Sequence, residues 1–186
     1  MAVSPEIKTR RLRITPFTEK HLTQRYVDWL NNKALMRFSE QRHKTHSMET
    51  CRKYWRSFEG TPHFFWAIET AVDGIGHIGN INAYLDSRNQ LADIGILIGE
   101  PRAAGRGLGA EAWAGVSDYL FQSAGVRKLT AGTLANNVPM CNLARKSGMK
   151  SDGKREKHFL FEGRETDVVY FAMFRDNWRK LSESRD

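Results

Sequence analysis

Apolar and polar positions along this chain follow two rhythms, and their order lays out its elements. Leu12-Arg13-Ile14 alternates with a period of two and predicts a first strand within residues 8–17, ended or kept at an edge by Pro16. Leu22, Tyr26, Trp29 and Leu30 share one face of a helix that Thr18 is placed to cap. Cys51, Tyr54, Trp55 and Phe58 form the i, i+3, i+4, i+7 stripe of a second helix, capped by Ser47, and read as core. Residues 63–68 and 77–85 predict strands on either side of a turn marked by Gly74 and Gly76. In the second of these, Ile78, Asn80, Asn82 and Tyr84 fall on one face and Gly79, Ile81, Ala83 and Leu85 on the other. After Asp86-Ser87-Arg88-Asn89-Gln90 the chain returns antiparallel as Leu91 to Ile98.

A helix follows, with Leu108, Ala112, Val116, Tyr119 and Leu120 on one stripe. Residues 125–133 predict a turn and a strand. Asn136 or Asn137 caps another helix that tolerates Pro139 in its first turn and stops at Gly148. Strands at 157–161 and 167–174 make a closing hairpin around Glu162-Gly163-Arg164, and residues 175–186 read as a polar tail. Residues 31–46, with Arg37, Arg42, His43, Lys44 and His46, read as a basic loop. There is no internal repeat, low-complexity block or linker.

The chemistry concentrates between strand and helix, in Arg102-Ala103-Ala104-Gly105-Arg106-Gly107-Leu108-Gly109. Alternating glycines permit positive φ and close approach of a ligand to the backbone. At a helix N-terminus the free N–H groups and the dipole then favour an anion such as phosphate, with Arg102 and Arg106 adding charge at the rim. Gly105-x-Gly107-x-x-Ala110 also fits a dinucleotide fingerprint. That fingerprint expects an acid roughly 20 residues on, where this chain has Gly125-Val126-Arg127-Lys128-Leu129-Thr130. A P-loop is excluded, since no Gly-Lys-Ser/Thr follows the glycines.

The chain is basic, with a net charge of +8, which suits a polyanionic ligand. Its basic residues are spread out and match no nucleic-acid motif, so no nucleic-acid partner is expected. Cys51 and Cys141 form neither metal nor redox spacing and read as free thiols of a reducing, cytoplasmic protein; no metal site is expected. The start of the chain lacks the apolar stretch of a signal peptide, and no run is long enough to span a membrane. With 186 residues, 40% of them hydrophobic, one domain with a sizeable core is expected.

Arg102-x-x-Gly105-x-Gly107 resembles the Q/R-x-x-G-x-G/A pyrophosphate loop of the GNAT superfamily of N-acetyltransferases. Thr9-Arg10-Arg11-Leu12-Arg13-Ile14-Thr15-Pro16 resembles the opening of members that acetylate ribosomal-protein N-termini, and Asn136-Asn137 through Lys146-Ser147-Gly148-Met149 resembles a later family segment. The resemblance spans about residues 9–178 of a single domain. It implies an α/β (α+β) fold: a mixed, mostly antiparallel twisted sheet of six or seven strands, flanked by helices and splayed at the fourth and fifth strands. It also implies acetyl-CoA as co-substrate, held by Ile96, Leu97, Ile98, Arg102, Gly105, Arg106, Gly107, Leu108, Gly109, Ala110 and Asn137.

By the same resemblance, an N–H near Leu97 or Ile98 polarises the thioester and the acceptor is a small-molecule or peptide amine. Asp93 is the candidate general base, with His77 and His158 as alternatives. Many members place a tyrosine, acid to the leaving thiolate, where this chain has Ala144. Tyr84, Ser147 or water then takes that role, or the thiolate leaves unaided. Residues 78–99 and Tyr26-Val27-Asp28-Trp29-Leu30-Asn31-Asn32 resemble enzymes that acetylate nucleotide-linked amino sugars, whose diphosphate the basic loop would suit. A protein N-terminus is the rival acceptor. A non-catalytic CoA-binding module is a second functional class, and a homodimer is compatible with the pattern.

Overall fold

The computed structural model describes residues 4–70 and 74–183. Among these, eight strands hydrogen-bond in the order β1-β2-β3-β4-β5-β6-β8-β7: β1 Ile7–Lys8, β2 Leu12–Pro16, β3 Phe64–Thr70, β4 His77–Asp86, β5 Leu91–Ile98, β6 Lys128–Leu134, β7 Lys150–Phe161 and β8 Arg164–Phe174. The count exceeds the expected six or seven because β1 has two residues, too few to show an alternation. The sheet is mixed: β5 and β6 run parallel, and the neighbouring β6–β8 and β7–β8 pairs are antiparallel. Register pairs between β5 and β6 run from Leu91↔Lys128 to Asp93↔Thr130 and end there.

The chain forms two compact units. The first takes the described residues through Leu85 together with Gly95–Val116. It holds the antiparallel meander from β1 to β4, the end of β5, helices α1 (Gln24–Asn31), α2 (Lys33–Met36) and α3 (Met48–Arg56), and the start of α4 (Leu108–Gln122). Thr18 opens only a 3₁₀ turn, Glu19–His21; α1 begins after Thr23, whose hydroxyl accepts the Tyr26 N–H at 3.3 Å. Ser47 caps α3 as expected, accepting the Thr50 N–H at 3.2 Å. Residues 31–46 are helical in part: Asn32 accepts from the N–H groups of Ala34 and Leu35 to start α2, and Glu40–His43 adds a 3₁₀ turn. Their charge hid these short pieces from a reading by periodicity.

One face of the meander packs on an aromatic-rich cluster of Phe17, Leu22, Tyr26, Val27, Trp29, Cys51, Phe65 and Ala67. His77 is buried there, with the rings of Phe17, His21, Tyr26 and Trp29 at 5.1–6.1 Å and no partner for Nε2. Burial, then the neighbouring His21, pushes its pKa down to about 4; Arg25 acts in the same direction, while Glu69 and a hydrogen bond to Gly79 oppose it. An unfolded histidine titrates near 6.5, so this contribution to stability is complete above that pH and is lost as pH falls toward 4. We expect stability to drop by about 2 kcal/mol between pH 7 and pH 5 from this source. Urea unfolding of His77→Phe should show a flatter dependence; an unchanged slope would remove His77 as its origin.

The second unit takes Asp86–Ile94 and the described residues from Ser117 on. It holds the start of β5, the end of α4, strands β6 to β8, and helices α5 (Val138–Lys146) and α6 (Arg175–Glu183). Strand β7 begins at Lys150, earlier than expected, because its mostly exposed, charged residues display no apolar alternation. The expected polar tail is α6 over its described length; residues 184–186 lie outside the described residues. Trp178 donates its indole N–H to Asp118 at 2.6 Å and stacks on Phe121, centroids 5.4 Å apart. Leu181 comes so close to Gly148, at φ +91°, that a β-carbon there would stand 2.3 Å from its Cδ1. Two apolar side chains among seven polar ones are too sparse a stripe to announce a helix.

Candidate active site: the glycine-rich turn and the polar face of β4

The end of β5, the turn and the start of α4 all belong to the first unit. Glu100, buried, opens the turn by accepting the Arg102 N–H at 3.2 Å and the Arg102 Nε at 2.7 Å. The Arg102 hydrogen bond holds this carboxyl below the ordinary range, with Arg25, 3.5 Å away, assisting. Arg102 is therefore paired with an acid, and its charge at the rim is largely offset. Gly105 and Gly107 adopt φ of +71° and +73°, which side-chain-bearing residues rarely adopt. Glu111 N–H makes the first helical bond, to the Gly107 carbonyl at 3.1 Å. The N–H groups of residues 107–110 precede it and have no acceptor within the helix.

Those N–H groups lie at the positive end of α4, where the sequence leads one to expect an anion. Gly109 seats the helix on β5: a β-carbon there would lie 3.3 Å from Ile98 Cγ1 and 4.0 Å from Ile96 Cδ1. Alternation then turns Leu97 to the opposite face. The carbonyl of Arg106 is held by Nη1 of Arg11 at 2.9 Å, and Arg11 Nε reaches Glu111 Oε2 at 2.6 Å. No local pattern in the sequence announces this clamp, whose residues lie 100 positions apart; the acid in the first turn of α4 is its one trace.

The β4 face also belongs to the first unit up to Leu85. Register sets Asn80 opposite Ala67 and Asn82 opposite Phe65, on the face of the aromatic cluster. Asn80 is buried and its Oδ1 has no partner. Asn82 Oδ1 lies 3.0 Å from the place of a β-carbon on Gly95. Tyr84 is exposed, stacks on Phe58 at 5.6 Å, and shares a 2.8 Å hydroxyl–hydroxyl hydrogen bond with Tyr54. Burial, then Tyr84, pushes the Tyr54 hydroxyl upward. Tyr54 reads as a stripe residue in the sequence, yet only its ring packs while its hydroxyl joins this polar face.

Asp93 lies in the second unit, so it and Tyr84 are not members of one unit. Its carboxylate accepts the Thr130 hydroxyl at 2.8 Å. Although solvent reaches the residue, surrounding protein raises its pKa, against the opposing Thr130 hydrogen bond. Asn137 caps α5, accepting the Met140 N–H at 3.3 Å and donating to Thr133 Oγ1 at 2.9 Å, so both ends of its amide are engaged. Ala144 is fully buried and Ser147 donates to its carbonyl at 2.8 Å. His158 is exposed on β7. Among the described residues, no three His, Cys, Asp or Glu side chains form a metal-binding group, and no helix is long and apolar enough to cross a membrane.

Residues 11–150 match the model of the acetyltransferase (GNAT) domain. The chain is 24% identical over 147 residues to human alpha/beta-tubulin-N-acetyltransferase 9, covering 74% of this chain and 71% of that protein. The spermidine N-acetyltransferase of Vibrio cholerae, solved with CoA and spermine, superposes with a TM-score of 0.81 at 17% identity, covering 92% of this chain and 99% of that one. RimL, a ribosomal alpha-N-protein acetyltransferase solved with coenzyme A, gives 0.80 at 16% identity, with the same shares covered.

Proposed function

Because the chain belongs to the GNAT acetyltransferase family, we propose that it transfers the acetyl group of acetyl-CoA to the primary amine of a nucleotide-linked amino sugar. Acetyl-CoA supplies an activated thioester. The N–H groups at residues 107–110 take its pyrophosphate, and the β5 edge at Ile96, Leu97 and Ile98 takes its pantetheine arm. An N–H of Leu97 or Ile98 stabilises the charge that develops on the acyl oxygen. Asp93, its pKa raised by the surrounding protein, removes the amine proton, and Tyr84 is the acid available to the leaving thiolate.

The polar face of β4 carries the acceptor assignment. Asn80, Asn82, Tyr54 and Tyr84 offer neutral donors and acceptors, suited to the hydroxyl groups of a sugar. The nearby acids are taken: Glu100 by Arg102, and Glu69 by Lys20 at 3.1 Å and by His21 at 3.2 Å. A polycation finds little there to neutralise it. A protein amine is the second reading, favoured by the tubulin-acetyltransferase name of a curated relative.

Thiol release from acetyl-CoA should be measured with nucleotide-linked amino sugars, N-terminal peptides and polyamines. We expect the amino sugars to exceed the acceptor-free rate by at least about 100-fold, the scale of one aligned catalytic group. A response confined to peptides would replace the first reading by the second. Silence from every acceptor, with acetyl-CoA still raising Tm, would leave a CoA-binding module.

A further inference from the structure

Glu111 sits where a carboxylate works against the loop. It is in the first turn of α4, and a negative charge there favours the helix dipole but repels a diphosphate drawn to the same N–H groups. The protein answers with three donors. Thr9 Oγ1 and the Arg11 N–H reach Oε1 at 2.6 and 2.7 Å, and Arg11 Nε reaches Oε2 at 2.6 Å. Together these outweigh the effect of burial and hold the carboxyl below the ordinary range, so Glu111 is ionised at neutral pH.

The same guanidinium faces the loop with its other two nitrogens. Nη1 holds the Arg106 carbonyl at 2.9 Å, which keeps that partial negative charge pinned. Nη2 stands 3.7 Å from the place of a β-carbon on Gly107. A planar fork can satisfy an acid on one edge and present a donor on the other, which an ammonium group cannot do. We propose that Arg11 is a phosphate-binding and positioning residue for acetyl-CoA: it cancels the charge of Glu111, fixes the Arg106 carbonyl and presents Nη2 at Gly107. This rests on the reading of residues 105–110 as the pyrophosphate loop.

A brace and a charge shield predict opposite signs for one double substitution. Calorimetric titration with acetyl-CoA, and melting of the free protein, would be run on wild type, Arg11→Ala, Glu111→Gln and the double variant. We expect Arg11→Ala to raise Kd about 10- to 100-fold, the scale of one hydrogen bond to a charged group. Adding Glu111→Gln should recover about tenfold of that loss while Tm recovers nothing, because the uncompensated carboxylate is gone but the clamp is still broken. An unchanged Kd in Arg11→Ala, or a double variant binding no better than the single, would overturn the proposal. If wild type itself did not bind acetyl-CoA, the loop reading would fail instead. Arg11→Gln, neutral and closer in size, carries the same comparison should the alanine variant not fold.

Discussion

Replacing Gly107 with valine should raise the Kd for acetyl-CoA by at least about 100-fold, the equivalent of losing two or more charge-assisted hydrogen bonds. Two effects coincide at this position. At φ +73° the backbone is in the left-handed region, which disfavours a β-branched residue most. In the proposed site the Gly107 N–H is also one of the groups that face the phosphate, so a side chain there would take space needed by its oxygen. In the ligand-free protein the nearest atom to an added β-carbon is Arg11 Nη2 at 3.7 Å, an ordinary contact. The substitution therefore leaves the empty loop room, and its effect on folding is limited to backbone strain of about 1–2 kcal/mol. Calorimetry with acetyl-CoA and a melting curve separate the two. A folded variant that binds normally would show that the pyrophosphate lies elsewhere.

The strand–turn–helix segment was legible because each local rule agreed: apolar β5, alternating glycines, then a helical stripe. The later helix was legible for the same reason, with Asn137, Pro139 and Gly148 marking its ends as expected. Residues whose role depends on distant partners were not legible. Nothing local in the sequence marks Glu100, yet it is buried and paired with Arg102. Glu111 stands in a first helical turn, where an acid is ordinary, yet Thr9 and Arg11 hold it from the other end of the sequence. Tyr54 falls in a core stripe, and no local pattern signals that its hydroxyl reaches Tyr84. In α6 the charge of Arg175, Arg179 and Lys180 masked the anchors Trp178 and Leu181. Periodicity reports which face is buried; it does not report which polar group meets which.

Asp93→Asn should lower kcat by about 10²- to 10⁴-fold, the range of a general base, while Kd for acetyl-CoA changes less than about twofold. The amide keeps an oxygen that can accept the Thr130 hydroxyl, so the local hydrogen bond at 2.8 Å survives in the variant. What is lost is the basic lone pair. An amine acceptor arrives protonated at neutral pH and must give up a proton before it can attack, and a carboxylate whose pKa is raised takes it more readily. The acid side of the pH profile supplies a second readout. Protonating Asp93 removes the base, so kcat/KM in wild type should fall as pH drops through its raised pKa, above the ordinary aspartate value near 3.9. In the variant that limb should disappear from the residual rate. An unchanged kcat would remove Asp93 as the base and move the search to groups of the first unit, beginning with the tyrosine pair. An unchanged limb with a lowered kcat would assign Asp93 to positioning and the titration to another group.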